Sequence, residues 1–254
     1  MGVRILLGRH GESDGNVDAI NYLDGDSTRQ LTIPKGWEQV LGSGNFLSDY
    51  YTEQGVSEWP TIFVSPYERT LQTFRGIYEG LKNTFKGEPK LKEEVRLIEK
   101  FFGAASHLAF ADENYDPAFI AALERLSKDT YANDPTSTAH LFGESTLATM
   151  VRVKGFIDGT LSRDLDEGQK EFLIVTHGAV IQAFIMAWMH LPMRAKAELG
   201  NPNNGDIIAI EGEPKNWRVT KLYDGEKGER VNIDLTQHIK RLSVDRLPPV
   251  PKLQ

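Results

Sequence analysis

The sequence predicts an α/β fold of three layers, α/β/α. A mostly parallel central sheet lies between helices, and a helical cap is inserted at residues 104–142. Three observations predict it. Short apolar runs alternate with segments whose apolar residues recur at helical spacing. The runs are bounded by Gly, Pro or polar residues, as buried strands are. Three strand ends carry His10, Arg69 and His177, either directly or one turn into the following helix. In open α/β sheets that edge, beyond the carboxyl ends of the strands, is where ligands bind.

The elements follow in order. Residues 3–7 form a short run broken by Arg4 and closed by Gly8, and read as a buried strand. Residues 9–29 are polar and Gly-containing. Thr32 and Pro34 introduce a helix over 36–47. Residues 61–64 form a second strand after Pro60. Ser65-Pro66-Tyr67-Glu68 then reads as a helix start, with Ser65 as cap and Pro66 in the first turn. That helix runs through Arg69, Leu71, Phe74, Ile77 and Leu81. Residues 93–98 read as a further strand or extended segment.

Within 104–142, Asp116-Pro117 opens a helix carrying Phe119, Ile120, Leu123 and Leu126, and residues 133–138 are loop-like. Ser145 starts a helix with Leu147, Val151 and Phe156 along one face. Residues 172–175 are the clearest buried strand, ended by Thr176-His177-Gly178 and followed by a largely buried helix over 179–190. Residues 207–210 and 217–223 are two late strands joined by a Gly/Pro turn. The tail from Val231 combines an amphipathic helix with an extended Pro-rich end. No internal repeat interrupts this order, so residues 1–254 are expected to form one domain, with the cap as an elaboration.

Composition excludes several functions. The net charge is -7 and the sequence pI is about 5.5. A nucleic-acid or anionic-membrane partner needs a basic face, so neither is expected. An anionic small molecule is compatible, because a few arginines in a cleft set a local field of opposite sign. With no cysteine, thiolate catalysis and cysteine-ligated zinc are impossible. No run approaches a membrane span, and the first residues lack a signal-peptide pattern, so a cytoplasmic location is expected. His107, His140, His190 and His238 share no metal-ligand spacing, and no metal or other cofactor is expected. Residues 8–15 lack the Gly-Lys-Ser/Thr end of a nucleotide-binding loop.

The chemistry-bearing residues sit in three strand-end motifs and one acidic segment. Arg9-His10-Gly11-Glu12-Ser13 follows the first strand, with Asn16 six residues after His10. Ser65-Pro66-Tyr67-Glu68-Arg69-Thr70 follows the second, and Thr176-His177-Gly178 closes the clearest one. Leu97-Ile98-Glu99-Lys100-Phe101-Phe102-Gly103 is the acidic segment. This set, in this order, resembles the histidine phosphatase superfamily in its phosphoglycerate mutase-like branch, especially the plant and microbial phosphatase-like members. The resemblance runs from about residue 3 to residue 223.

A phosphoryl group in flight spreads negative charge over its equatorial oxygens, so catalysis is mostly positioning and electrostatic stabilisation. The resemblance implies that His10 attacks phosphorus; spacing by itself does not choose between His10 and His177. His10 must be neutral to offer a lone pair, with its other ring nitrogen tied to an acceptor. Arg9 and Arg69 are implied as guanidinium clamps, which stay charged at any relevant pH. His177, at a helix start, is implied as a donor to a phosphate oxygen, with Gly178 beside it. Asn16 is a further phosphate-pocket donor, and Ser13 a weaker candidate. Glu99 is implied as the general acid that protonates the leaving alkoxide and then activates water. Phe101 and Phe102 are expected to raise its pKa by desolvation. Glu12 and the helix start at Gly143-Glu144-Ser145 are expected to be structural.

The family's mutases carry a basic stretch after the aromatic-Gly pair, whereas here no Lys or Arg appears between Gly103 and Arg125. A substrate with two anionic ends lacks obvious partners for the second, which favours hydrolysis of a phosphorylated small molecule, releasing inorganic phosphate. Two alternatives stand beside it. One is mutase-type phosphoryl transfer; the other is a non-catalytic phospholigand-binding module.

Overall fold

The computed structural model describes residues 2–17, 26–103, 116–134 and 143–237, together with Ala139 and Ile239. Strand β1 (Val3–Arg9) is followed by a helical turn at Asp14–Val17 and by helix α1 (Lys35–Glu53). Then come β2 (Thr61–Val64), α2 (Glu68–Leu81) and the short β3 (Leu91–Glu93). Helix α3 (Pro117–Asn133) and α4 (Thr146–Phe156) precede β4 (Glu171–Thr176). Helices α5 (Gly178–Trp188) and α6 (Ala195–Leu199) lead into β5 (Ile207–Glu213), β6 (Asn216–Asp224) and β7 (Glu229–Asp234).

The strands form one sheet in the order β3-β2-β4-β1-β5-β6-β7. The four on the β3 side run parallel, and β5, β6 and β7 are added antiparallel at the other edge. Successive strand residues face opposite sides, so each apolar run fills two cores. Ile5, Leu7, Phe63, Phe172, Ile174, Ile208 and Ile210 pack against α4 and α5 through Val153, Phe156, Ile181 and Phe184. Leu6, Ile62, Val64, Leu173, Val175 and Ala209 pack against α1 and α2 through Leu47, Tyr51, Phe74 and Ile77. This is the expected three-layer α/β arrangement.

Four sequence-based expectations are corrected. Residues 93–98 are not a strand: β3 ends at Glu93, and a 3-10 turn, Val95–Leu97, follows, capped by the Glu94 carboxylate accepting from Arg96 N. On α4, Leu147 and Val151 are exposed, and the buried stripe is Thr146, Thr149, Val153 and Phe156. Two threonines make that stripe hard to see in an apolar pattern. The start of the tail, through Asp234, is strand β7 paired with the open edge of β6, and the expected tail helix falls largely outside the described residues. Ser65 does not cap α2, whose first turn begins at Glu68 with Tyr67 as the flanking residue. The expected helix at Asp116-Pro117 is present, with the Asp116 carboxylate accepting from Ala118 N. The rest of the expected cap, and the Pro-rich end, lie outside the described residues. No helix among the described residues is long and apolar enough to cross a membrane.

Candidate active site

Strands β2, β4 and β1 are neighbours and parallel, with Arg9 opposite Thr176 and Val64 opposite Val175. Their carboxyl ends therefore present Ser65, His177 and His10 side by side. His10 and His177 are buried, at 2% and 0% exposure, and their ring centroids are 5.1 Å apart. Glu99 Oε2 lies 4.0 Å from His177 Nδ1. Ligand atoms of His10, Glu99 and His177 all fall within 4.8 Å of one another. Arg9 and Arg69 are close enough to depress the pKa of both imidazoles. Two imidazoles, two guanidiniums and one carboxyl group thus converge from four separate stretches of sequence.

The tautomer of His10 is set by its backbone. Nδ1 lies 2.7 Å from the Gly11 carbonyl oxygen, which has no proton, so Nδ1–H is the donor. The Nε2 lone pair is left for attack. Burial first, and then the charges of Arg69 and Arg9, hold the His10 pKa well below that of a free imidazole. His10 is therefore neutral at physiological pH. Gly11 cannot carry a side chain, because a Cβ there would lie 2.5 Å from the Gly36 carbonyl oxygen. Gly11 N donates to Thr73 Oγ1 of α2 at 3.1 Å, so α2 fixes the His10 loop.

His177 flanks the start of α5. Its Nε2 is 2.8 Å from Ser65 Oγ, while its buried Nδ1 has no hydrogen-bond partner. With Nε2 engaged by Ser65, Nδ1 is the ring nitrogen left facing the site. Burial, Arg69 and His10 lower the His177 pKa well below the usual value, so it also stays neutral. The Tyr67 ring packs edge-on against it at 5.2 Å.

Arg69 is 3% exposed and lies over the Tyr67 ring. Its guanidinium donates to the Asp26 backbone oxygen at 2.6 Å and pairs with the Asp26 carboxylate at 2.9 Å. Arg9 donates through NH1 to the Pro202 carbonyl. Asn16 Oδ1 accepts from Ser13 N and Ser13 Oγ at 3.0 and 3.1 Å and from Asn204 Nδ2 at 3.2 Å. Those contacts fix the amide so that Nδ2 is the end left for an anion. The Ser13 hydroxyl is itself used in orienting Asn16. Asn204 also donates to the His10 carbonyl at 3.0 Å. Gly178 lines the cleft, and a Cβ there would collide with the Asn201 side chain.

Burial raises the Glu99 pKa to about 7, against the opposing effects of Lys100 N, Arg69 and Arg9. Phe101 and Phe102, expected to provide that burial, are about half exposed at 49% and 53%. Glu99 is placed instead by Arg152 of α4. NH1 of Arg152 donates to the Arg96 and Ile98 carbonyls at 2.7 and 2.9 Å. Its NH2 pairs with Glu144 at 2.8 Å, and Glu144 in turn holds both the N–H and the carbonyl of Phe101. Glu144 is structural, as the sequence suggests, whereas Arg152 carries no local sequence signal. Ser65 as a histidine partner, Asp26 and Asn204 are likewise not legible in the local sequence. Glu12 is structural too, pairing with Lys35 and Thr32.

The cleft beside these groups holds about 850 Å³. Arg9, Asn16, Glu99, Gly178, Phe102, Arg194 and Lys196 are among the residues that line it. The two cations from residues 194–196 meet the segment after Glu99 in space and not in sequence. The absence of basic residues after Gly103 therefore does not leave the cleft without cations besides Arg9. His190 is exposed, and His107, His140 and His238 lie outside the described residues.

Comparison with known proteins gives a consistent picture. Residues 5–225 match the model for the histidine phosphatase superfamily (branch 1). The chain is 30% identical over 218 residues to the phosphoglycerate mutase-like protein AT74 of Arabidopsis thaliana, covering 82% of this chain and 64% of that relative. It thus spans somewhat less than two thirds of that relative's length. Among solved structures, the alpha-ribazole phosphatase from Shigella flexneri superposes with a TM-score of 0.60 at 24% identity, covering 82% of this chain and 89% of that one. The mycobacterial glucosyl-3-phosphoglycerate phosphatase in complex with inorganic phosphate gives 0.60 at 20% identity, covering 85% and 95%. At these identities the two structures support the shared fold.

Proposed function

The chain belongs to branch 1 of the histidine phosphatase superfamily, and from that premise we propose that it is a metal-free phosphomonoester hydrolase working through a phosphohistidine on His10. The observation that carries this reading is the Nδ1–H of His10 held on the Gly11 carbonyl. It leaves Nε2 as a neutral nucleophile beside two guanidiniums and a carboxyl group of raised pKa.

In the first step Nε2 of His10 forms a bond to phosphorus as the ester P–O bond breaks. Glu99, protonated near neutral pH, gives its proton to the leaving alkoxide. Arg9, Arg69, Asn16 Nδ2, His177 Nδ1–H and the N-terminus of α5 at Gly178 stabilise the equatorial oxygens. In the second step the Glu99 carboxylate takes a proton from water, water oxygen bonds to phosphorus, and the P–N bond breaks to release inorganic phosphate.

His10, Glu99 and His177 are also a set that could ligate a cation. Arg9 and Arg69 oppose that, because the field that depresses both imidazole pKa values repels a metal as it attracts an anion. Activity on 4-nitrophenyl phosphate should therefore survive EDTA. Rapid quenching should trap an acid-labile, alkali-stable phosphoprotein, lost in His10→Ala. Undiminished turnover in that variant would refute the nucleophile assignment.

Mutase-type transfer is the second reading, favoured by Arg194 and Lys196 in the lining of the cleft and by the likeness to a mutase-like relative. A coupled phosphoglycerate assay separates it from hydrolysis. Membership of the cytoplasm, and the unity of residues 1–254 as one domain with a cap at 104–142, belong to this same proposed reading.

A further inference from the structure

Resting on the phosphomonoester reading, we infer that Asn204 is a positioning residue for the reaction: its side-chain amide sets the nucleophile His10 and the phosphate donor Asn16 relative to each other. The sheet topology brings it there. β5 runs antiparallel to β1, with Gly8 opposite Ile207, so the segment entering β5 lies against the carboxyl end of β1. Asn204 therefore borders the site, although it is 194 residues from His10 in sequence. Residues 201–206 hold the His10 loop at several points. The Asp206 carbonyl accepts from Arg9 N at 3.1 Å, and the Pro202 carbonyl accepts from the Arg9 guanidinium. The His10 carbonyl receives two donors, Gly205 N at 3.1 Å and Asn204 Nδ2 at 3.0 Å. The other acceptor of Asn204 Nδ2 is Asn16 Oδ1, at 3.2 Å. A primary amide has two N–H groups, so both are used on site residues. The opposite orientation of the amide is excluded by its partners. It would aim Asn204 Oδ1 at the His10 carbonyl and at Asn16 Oδ1, two acceptors with no proton to give.

The segment is itself anchored from behind. Asp206 is buried, and its carboxylate accepts from Asn203 N at 2.7 Å and Gly225 N at 2.9 Å and pairs with Lys221 of β6 at 2.8 Å. Ser43 of α1 donates to the Gly205 carbonyl at 2.7 Å. Gly205 has a φ of 76°, in the left-handed region, and a Cβ there would lie 3.1 Å from Gln39 Cβ. Asn204 thus stands between a fixed base and two site residues. Through it the backbone of the nucleophile and the amide of the phosphate donor share one reference point, which is what an in-line attack on a bound phosphoryl group requires.

The test uses the full chain with Asn204→Ala, Asn16→Ala and the double variant. Inorganic phosphate binding is read by calorimetry, and turnover on 4-nitrophenyl phosphate. Asn204→Ala should raise the phosphate Kd roughly fivefold, the worth of one orienting hydrogen bond, and lower kcat roughly tenfold. In the Asn16→Ala background the same substitution should leave the phosphate Kd within about twofold, because the amide it orients is gone. There kcat should still fall, through His10. A residue that merely supports the fold would give equal losses in both backgrounds. One readout needs no variant: in the wild type the Asn204 side-chain amide protons should exchange with solvent roughly tenfold more slowly than those of the exposed Asn232. Unchanged Kd and kcat in Asn204→Ala, equal losses in both backgrounds, or exchange as fast as at Asn232 overturns the inference and leaves hydrolysis standing. Phosphate binding with no turnover of any ester overturns the hydrolase reading alone, and the phosphate cycle then decides the role of Asn204. No phosphate binding by the wild type overturns both.

Discussion

Ser65 Oγ and His177 Nε2 are 2.8 Å apart, buried across the junction of β2 and β4. The hydroxyl is spent on the imidazole and not on the first turn of α2, and this decides which ring nitrogen of His177 carries a proton. Ser65→Ala should lower kcat by roughly tenfold or more with a smaller change in KM. Ser65→Thr should restore most of it. Nitrogen NMR of the His177 ring should show the proton shared between tautomers in the alanine variant. An unaltered ring spectrum together with unaltered kcat would remove Ser65 from the mechanism.

The raised pKa of Glu99 predicts the alkaline limb of the rate profile. For an alkyl phosphate, kcat/KM should fall as pH rises through about 7, because the proton needed by the leaving group is lost. His10 and His177 are held well below the ordinary imidazole value, so their protonation should cut activity only under distinctly acidic conditions. Glu99→Gln should abolish the alkaline limb and cost about 10²–10⁴-fold on an alkyl ester. On 4-nitrophenyl phosphate the loss in kcat/KM should be much smaller, since that leaving group needs little protonation. Equal losses on both esters would argue against the acid role.

The same carboxyl group predicts a stability effect independent of turnover. Glu99 has a folded pKa near 7 against an ordinary 4.5, so the folded state binds the extra proton between those values. Its destabilising contribution grows as pH rises from 4.5 and is complete above about 7. Glu99→Gln should therefore raise stability by about 1–3 kcal/mol at pH 8 and have little effect at pH 4.5. Thermal unfolding at the two pH values checks it.

Arg152 predicts a coupled loss. Its guanidinium joins α4 to the carbonyls of Arg96 and Ile98 and to Glu144. Arg152→Ala should cost about 2–4 kcal/mol, because the Glu144 carboxylate and two carbonyls lose their donor. It should also flatten the alkaline limb, since Glu99 is no longer held in place. A destabilised variant with the wild-type pH profile would confine Arg152 to a structural role.

Inorganic phosphate should bind the resting protein. At tenfold excess over its Kd it should add about 1.4 kcal/mol to the unfolding free energy. Arg69→Ala should erase most of that gain, and an equal gain in the variant would place the anion elsewhere.

Much of this was legible in the chain because parallel strands buried on both faces announce themselves. Residues 3–7, 61–64 and 172–175 are nearly unbroken apolar runs, and His10, Arg69 and His177 each follow one of them. The less legible elements lack that signature. β7 is an edge strand, Glu229–Asp234, with no buried residue, held by pairing with β6 and not by burial. The stripe of α4 is half threonine. Ser65 obeys every local rule of a helix cap, and only its position next to β4 turns it toward a histidine. Arg152 makes its contacts at long range, where no spacing rule reaches.

Because His10, Ser65 and His177 stand on three adjacent backbone ribbons, their separations are governed by the ladder of main-chain hydrogen bonds. The helices and connections around that rim can change length or sequence without moving the atoms that meet phosphorus. A reactive centre moored in this way can be handed new substrates by drift in its surroundings, so selectivity and chemistry are free to evolve at different speeds.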